Sequence, residues 1–94
     1  MNTDNAVKDN PAESRFELPV ENELAVAYYQ IRDGRFVLTH TEVPQHLSGQ
    51  GIGSTLASGV FEAIRERGGR VIAKCPFMAA YASQHPEYAG MLDG

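Results

Sequence analysis

Gly49-Gln50-Gly51-Ile52-Gly53-Ser54 stands between a strand-like run, Arg35 to Val43 closed by Pro44, and an amphipathic pattern, Ile52 to Arg67 closed by Gly68-Gly69. A strand, a glycine-rich turn and a helix start together make an anion site. The first helical turn leaves backbone N–H groups without partners, and the helix dipole adds partial positive charge there. Glycine accepts positive φ and has no Cβ to hold a phosphate away from the backbone. The loop therefore reads as a pyrophosphate cradle, against the alternative of a turn that only tightens a strand–helix connection. It is not a P-loop, because no Lys follows the last glycine, and its G-x-G-x-G spacing is not the dinucleotide G-x-G-x-x-G.

Working outward, Arg35–Val43 pairs back with Leu24–Ile31, because Asp33-Gly34 is a two-residue hairpin signal. Phe16, Leu18 and Val20 alternate with polar residues and form a strand before that, with a turn at Glu21-Asn22-Glu23. On the third strand, strict alternation puts Phe36, Leu38, His40 and Glu42 on one face and Val37, Thr39, Thr41 and Val43 on the other. After the loop, Ile52, Leu56, Val60, Ala63 and Ile64 form one helical stripe, and Gly68 suits the position just past the helix end. Arg70–Cys75 reads as a fourth strand, parallel to Arg35–Val43 through a right-handed crossover. A short second helix, Phe77 to Gln84, and a last turn from Pro86 to Leu92 complete the pattern. Met1 to Glu13 carries almost no large apolar residue and reads as a disordered tail, leaving residues 14–94 as a single α/β (α+β) domain.

Ninety-four residues hold one small core. No apolar run is long enough to span a bilayer and no signal-peptide pattern is present, so a cytoplasmic protein is expected. The net charge of −4 argues against nucleic acid and anionic membrane as partners. A single cysteine, Cys75, excludes an internal disulfide, and the Cys/His spacing of a zinc site is missing, so no metal is expected.

In a parallel βαβ unit the ligand lies beyond the carboxyl ends of the strands. Topology brings Thr41–Val43, Lys74–Cys75 and the glycine loop to that edge. Cys75 precedes a helix and follows Lys74, as an activated thiol would; a buried small hydrophobe is the alternative. His40 and Glu42 share a face at that edge and are candidate proton acceptors, or else a buried, hydrogen-bonded histidine and a solvated carboxylate. His46 reads as surface and His85 as structural, while Tyr28, Tyr29 and Tyr88 read as packing.

His40-Thr41-Glu42-Val43-Pro44, Gly49-Gln50-Gly51-Ile52-Gly53-Ser54, Cys75-Pro76-Phe77, Tyr81 and His85-Pro86-Glu87-Tyr88 together resemble the small one-domain branch of the GNAT acyltransferase superfamily. The resemblance runs from about Ser14 to Leu92. It implies a compact GNAT-like fold: a mixed sheet of about four strands, one long crossover helix and a short C-terminal helix. It implies acetyl transfer from acetyl-coenzyme A to an amine-bearing acceptor, small molecule or protein, by a monomer or weak homodimer. Backbone groups of Gln50, Gly51, Ile52, Gly53 and Ser54 would hold the coenzyme A pyrophosphate, and Val43 would pair with the pantetheine arm. Cys75 is implied as an acyl-accepting or catalytic thiol, and Tyr81 as the acid that protonates the departing thiolate.

Two departures are visible. Ser48 stands where the superfamily usually has Arg or Gln, which removes a phosphate contact. The two helices that larger members carry between their first strands are missing, so the acceptor site should be open. Direct transfer and a two-step route through Cys75 both fit. A coenzyme A or acyl-coenzyme A binding module with little turnover is the alternative, and a structural domain with an unused loop is a third.

Overall fold

A computed structural model of the chain describes residues 6–47 and 49–93. Five strands form one sheet in sequence order: β1 (Lys8–Asn10), β2 (Arg15–Val20), β3 (Glu23–Arg32), β4 (Arg35–Glu42) and β5 (Arg70–Ala73). Pairings are antiparallel up to β4, and β5 runs parallel to β4. The crossover is the long helix α1 (Ile52–Glu66), and a short helix α2 (Pro76–Ser83) follows β5. This is the compact α+β architecture that the strand–loop–helix–strand pattern implied, with one strand more.

The additional strand corrects the reading of the N-terminus. Lys8–Asn10 is not part of a disordered tail but pairs with Arg15–Glu17. Val7 is buried in the core, and Asp9 accepts a hydrogen bond from the Tyr29 hydroxyl at 2.7 Å and from Arg67 at 2.9 Å. Two polar contacts and one valine anchor a segment whose composition shows no apolar period. The part of the tail before residue 6 lies outside the described residues.

Local chemistry explains the turns. Asp33 and Gly34 both take positive φ, the backbone of a tight hairpin turn. Helix α1 ends in a Schellman motif: Gly68 N–H donates to Arg65 O and Gly69 N–H to Ile64 O, with Gly68 left-handed. Leu56, Val60, Phe61 and Ile64 of α1, Met78 and Ala82 of α2, and Tyr88 and Met91 pack with Phe16, Ala25, Ala27, Leu38 and Val71 into one core. Both helices therefore cover the same face of the sheet, and β1 to β4 follow one another without an intervening α-helix. No helix among the described residues is long and apolar enough to cross a membrane.

One irregularity positions everything that follows. In the β3–β4 ladder Tyr29 faces Leu38 but Tyr28 faces His40, so Thr39 is an extra residue, a β-bulge. Its hydroxyl donates to Tyr28 O at 3.3 Å. A bulge bends a strand, increases its twist and re-aims the side chains beyond it. Strict alternation fails here. Phe36 and Leu38 share the helix-covered face with Thr41, while His40 and Glu42 turn to the opposite, outer face beside Tyr28.

Candidate active site

The bulge coincides with the end of the β4–β5 ladder. Pairing stops at Leu38–Ala73, and the N–H groups of both Lys74 and Cys75 converge on Leu38 O at 3.0 and 2.9 Å. Beyond that forked bond β4 and β5 part. From Thr39 onward β4 has no ladder partner on the β5 side among the described residues, so a slot opens between the strands toward their carboxyl ends.

At the same edge α1 begins. Its N-cap is Gly51, left-handed at φ 77 and without a side-chain cap. The first bond of the helix runs from Thr55 N–H to Gly51 O at 3.0 Å, which leaves the N–H groups of Ile52, Gly53 and Ser54 unpaired within the helix. Gly49 and Gly51 both have positive φ, and open space surrounds the position a Cβ would take at each. Gln50 and Ser54 are exposed and Ile52 is half-buried. This is an open, donor-rich edge whose chemistry suits a pyrophosphate. Val43 follows at the end of β4 and packs against the core. Ser48, expected to weaken a phosphate contact, lies outside the described residues.

Gly53 has a different reason to be glycine. A Cβ there would lie 2.9 Å from the far end of the Phe77 ring. Phe77, at the start of α2 and 42 % exposed, therefore lies directly against the first turn of α1 and ties the two helix starts together.

Cys75 is the N-cap of α2 and is 5 % exposed. Its sulfur lies 3.3 Å from the Thr41 hydroxyl oxygen, on the helix-covered side of the slot. On the outer side, His40 Nε2 and Glu42 Oε2 are 3.0 Å apart, each side chain 60 % exposed, and the His40 ring stacks on Tyr28. The slot thus divides the predicted catalytic residues: the thiol on one side, the imidazole–carboxylate pair on the other. His40 is not the buried histidine that was one of the two expectations for it.

Tyr81 belongs to a separate aromatic stack. Its ring lies 3.8 Å from that of His85 and 6.0 Å from Phe61, and Tyr88 stacks on Phe61 at 5.0 Å. His85 Nδ1 lies 2.7 Å from Tyr81 O, and since a carbonyl only accepts, that nitrogen carries the proton. Burial, with the hydrogen bond to Glu62 second, pushes the Tyr88 hydroxyl up to about 12, so it stays protonated and holds the stack to α1. No hydrogen bond or ion pair joins Tyr81 to Cys75, His40 or Glu42 among the described residues. His46, read as surface, pairs with Glu23 at 2.7 Å in the open.

Sequence reasoning placed Thr41 at the ligand edge and Phe77 in a family motif, but gave neither of them, nor Thr39, a role. A parity change was the available signal: Phe36 and Leu38 are apolar at even positions and Val43 at an odd one, and a strand can keep all three on one face only with an extra residue between them.

Comparison with known proteins agrees with this geometry. A family model described as GCN5-related N-acetyl-transferase matches residues 15–91. Among solved structures, the NMR solution structure of a GCN5-like candidate N-acetyltransferase from Staphylococcus aureus is similar, at 29% sequence identity and a TM-score of 0.71, covering 98% of this chain and 92% of that one. No curated protein matches the chain significantly.

Proposed function

The chain belongs to the GCN5-related N-acetyltransferase family, and from that premise we propose that it transfers an acetyl group from acetyl-coenzyme A to an amine. The observation that carries the reading is the parting of β4 from β5 at Leu38, opposite the uncapped start of α1. The strands supply an extended backbone edge with no ladder partner, and the helix supplies N–H donors for phosphate oxygens.

The donor brings an activated acetyl thioester; the residues around the slot supply the rest. Ile52, Gly53 and Ser54 would hold the pyrophosphate through backbone N–H groups, with Gly51 giving the loop its left-handed turn. The β4 edge up to Val43 would hold the pantetheine arm. The acceptor amine is protonated near neutral pH and must lose a proton before it attacks. The His40–Glu42 pair would take that proton, a role supported by its position on the outer face, where no helix blocks access. Tyr81, on α2, is the proposed proton source for the departing sulfur. Cys75 lines the slot as a buried thiol in contact with Thr41, an arrangement that favours direct transfer over a covalent relay.

The test is a panel of primary amines incubated with acetyl-coenzyme A and the protein, with N-acetyl products read by mass spectrometry. Catalytic, stoichiometric formation of an N-acetyl amine and free coenzyme A is expected. Tight coenzyme A binding with no product from any amine would instead make the chain a binding module.

A further inference from the structure

We propose that the outer face of the sheet carries the acceptor groove and that this groove selects a small amine bearing a carboxylate or phosphate group. The proposal rests on the acetyltransferase reading and adds an acceptor class to it.

A cavity of about 460 Å³ runs along the β4–β5 seam on the face that no helix covers. Val37 and Ile72 form its floor, Gln30, Arg32 and Lys74 its walls, and Thr39 marks one end. That volume suits a small molecule. Thr39 is the bulged residue, so the groove ends where β4 and β5 part. His40 and Glu42 follow on the same face. An amine lodged at that pair would direct the rest of its molecule back along the groove.

The charge there is unbalanced. Arg15, Arg35, Arg65, Arg67 and Arg70 each have a carboxylate partner. Among the described residues, Lys8, Arg32 and Lys74 make no ion pair, and the last two both line this groove. Arg32 is held by the neutral Gln30 amide oxygen at 2.9 and 3.1 Å, which orients the guanidinium without cancelling its charge. Arg35 also lines the cavity, but Asp93 already matches it at 2.8 Å. Asp33, the carboxylate of the rim, is exposed and lies 3.8 Å from the same Arg35 guanidinium, and it makes no ion pair with Arg32 or Lys74. Two unmatched cations over an apolar floor, in a chain of net charge −4, form a local anion-selective feature. Lys74 stands beside the split, and Arg32 lies about 13 Å further along at a strand rise of ~3.3 Å per residue. Short acidic amines reach Lys74 and longer ones reach Arg32.

The test is an NMR-detected titration of the full chain saturated with coenzyme A. The ligands are O-phosphoethanolamine and β-alanine, their neutral counterparts ethanolamine and propylamine, and inorganic phosphate. The acidic amines are expected to bind about tenfold or more tightly than the neutral ones, moving the amides of Thr39, Ile72 and Lys74. Lys74→Gln and Arg32→Gln, both surface changes, should together bring that ratio close to one. Equal affinity of acidic and neutral amines, shifts confined to other residues, or inorganic phosphate binding as tightly as O-phosphoethanolamine would overturn the proposal. Adding acetyl-coenzyme A separates the two readings. Acidic amines that bind in the groove yet give no N-acetyl product contradict the transferase reading and leave the groove's ligand class standing. Preferred acetylation of the neutral amines contradicts the groove and leaves the transferase reading intact.

Discussion

The Thr41 hydroxyl oxygen lies 3.3 Å from the Cys75 sulfur, and the contact crosses the gap at the point where β4 and β5 have separated. Thr41 faces that way only because the Thr39 bulge turned it inward. The same bulge sends His40 and Glu42 outward. One extra residue in β4 thus opens the slot and places different chemistry on its two sides.

Cys75→Ala should therefore keep most of the transfer rate and cost about 1 kcal/mol of stability, through the small void left in a packed site. Tyr81→Phe should lower the rate by about tenfold to a hundredfold, as loss of a general acid does. Steady-state kinetics of both variants, beside urea melts, checks this. An acetyl adduct at Cys75 that forms and decays as fast as overall turnover would show that the relay, not direct transfer, operates.

The loop glycines separate by cause. Gly51 holds φ 77 in open space, so Gly51→Ala strains the backbone and should cost about 1–2 kcal/mol. Gly53 has ordinary φ, and its Cβ would meet only the tip of the exposed Phe77 ring. Gly53→Ala should then cost under about 1 kcal/mol and displace Phe77. Unfolding midpoints and the Phe77 ring signals distinguish the two. A bulky residue at Gly51 is accordingly no fold-neutral probe of the phosphate site.

Much of this was legible in the chain. Asp33-Gly34, the α1 stripe and Gly68 each follow local rules, so the hairpin, helix and helix end fell where propensity put them. The bulge did not, because a single extra residue in a strand shifts a register that only cross-strand pairing reveals. Strand β1 was hidden for a related reason: Asp9 anchors it through Tyr29 and Arg67, which are distant in sequence. The Thr41–Cys75 contact depends on the bulge.

Asp9→Ala should destabilise the fold by about 1–2 kcal/mol, because it removes hydrogen bonds to two groups. Deletion through Asn10 should cost more, since it also uncovers the core position of Val7. Hydrogen exchange at the β2 amides facing β1 reads out the loosened edge. Unchanged protection and midpoint in both would mean that β1 adds nothing to the fold.

Acid stability should depend on Asp93. Hydrogen bonds from Arg70 and then Arg35 hold its carboxyl at about 2, below the ordinary 3.8. A depressed value means that the contribution is complete above about pH 4 and fades as the pH falls through about 2. Asp93→Asn should lower stability at neutral pH and flatten the profile between those limits. At the alkaline end, burial and Asp9 push Tyr29 up to about 12. Its contribution is complete below pH 10 and is lost as the pH rises through 12, a loss that Tyr29→Phe should remove. Denaturation midpoints across pH check both limbs.

The most direct test of the central claim, that the slot beside α1 holds the acetyl donor, is an amide-resolved NMR titration with coenzyme A. The account predicts large shifts at Gly51 to Ser54 and along Thr39 to Val43, smaller ones at Cys75 and Phe77, and none along β1 and β2. Saturable binding whose shifts spare both the loop and the end of β4 would contradict it.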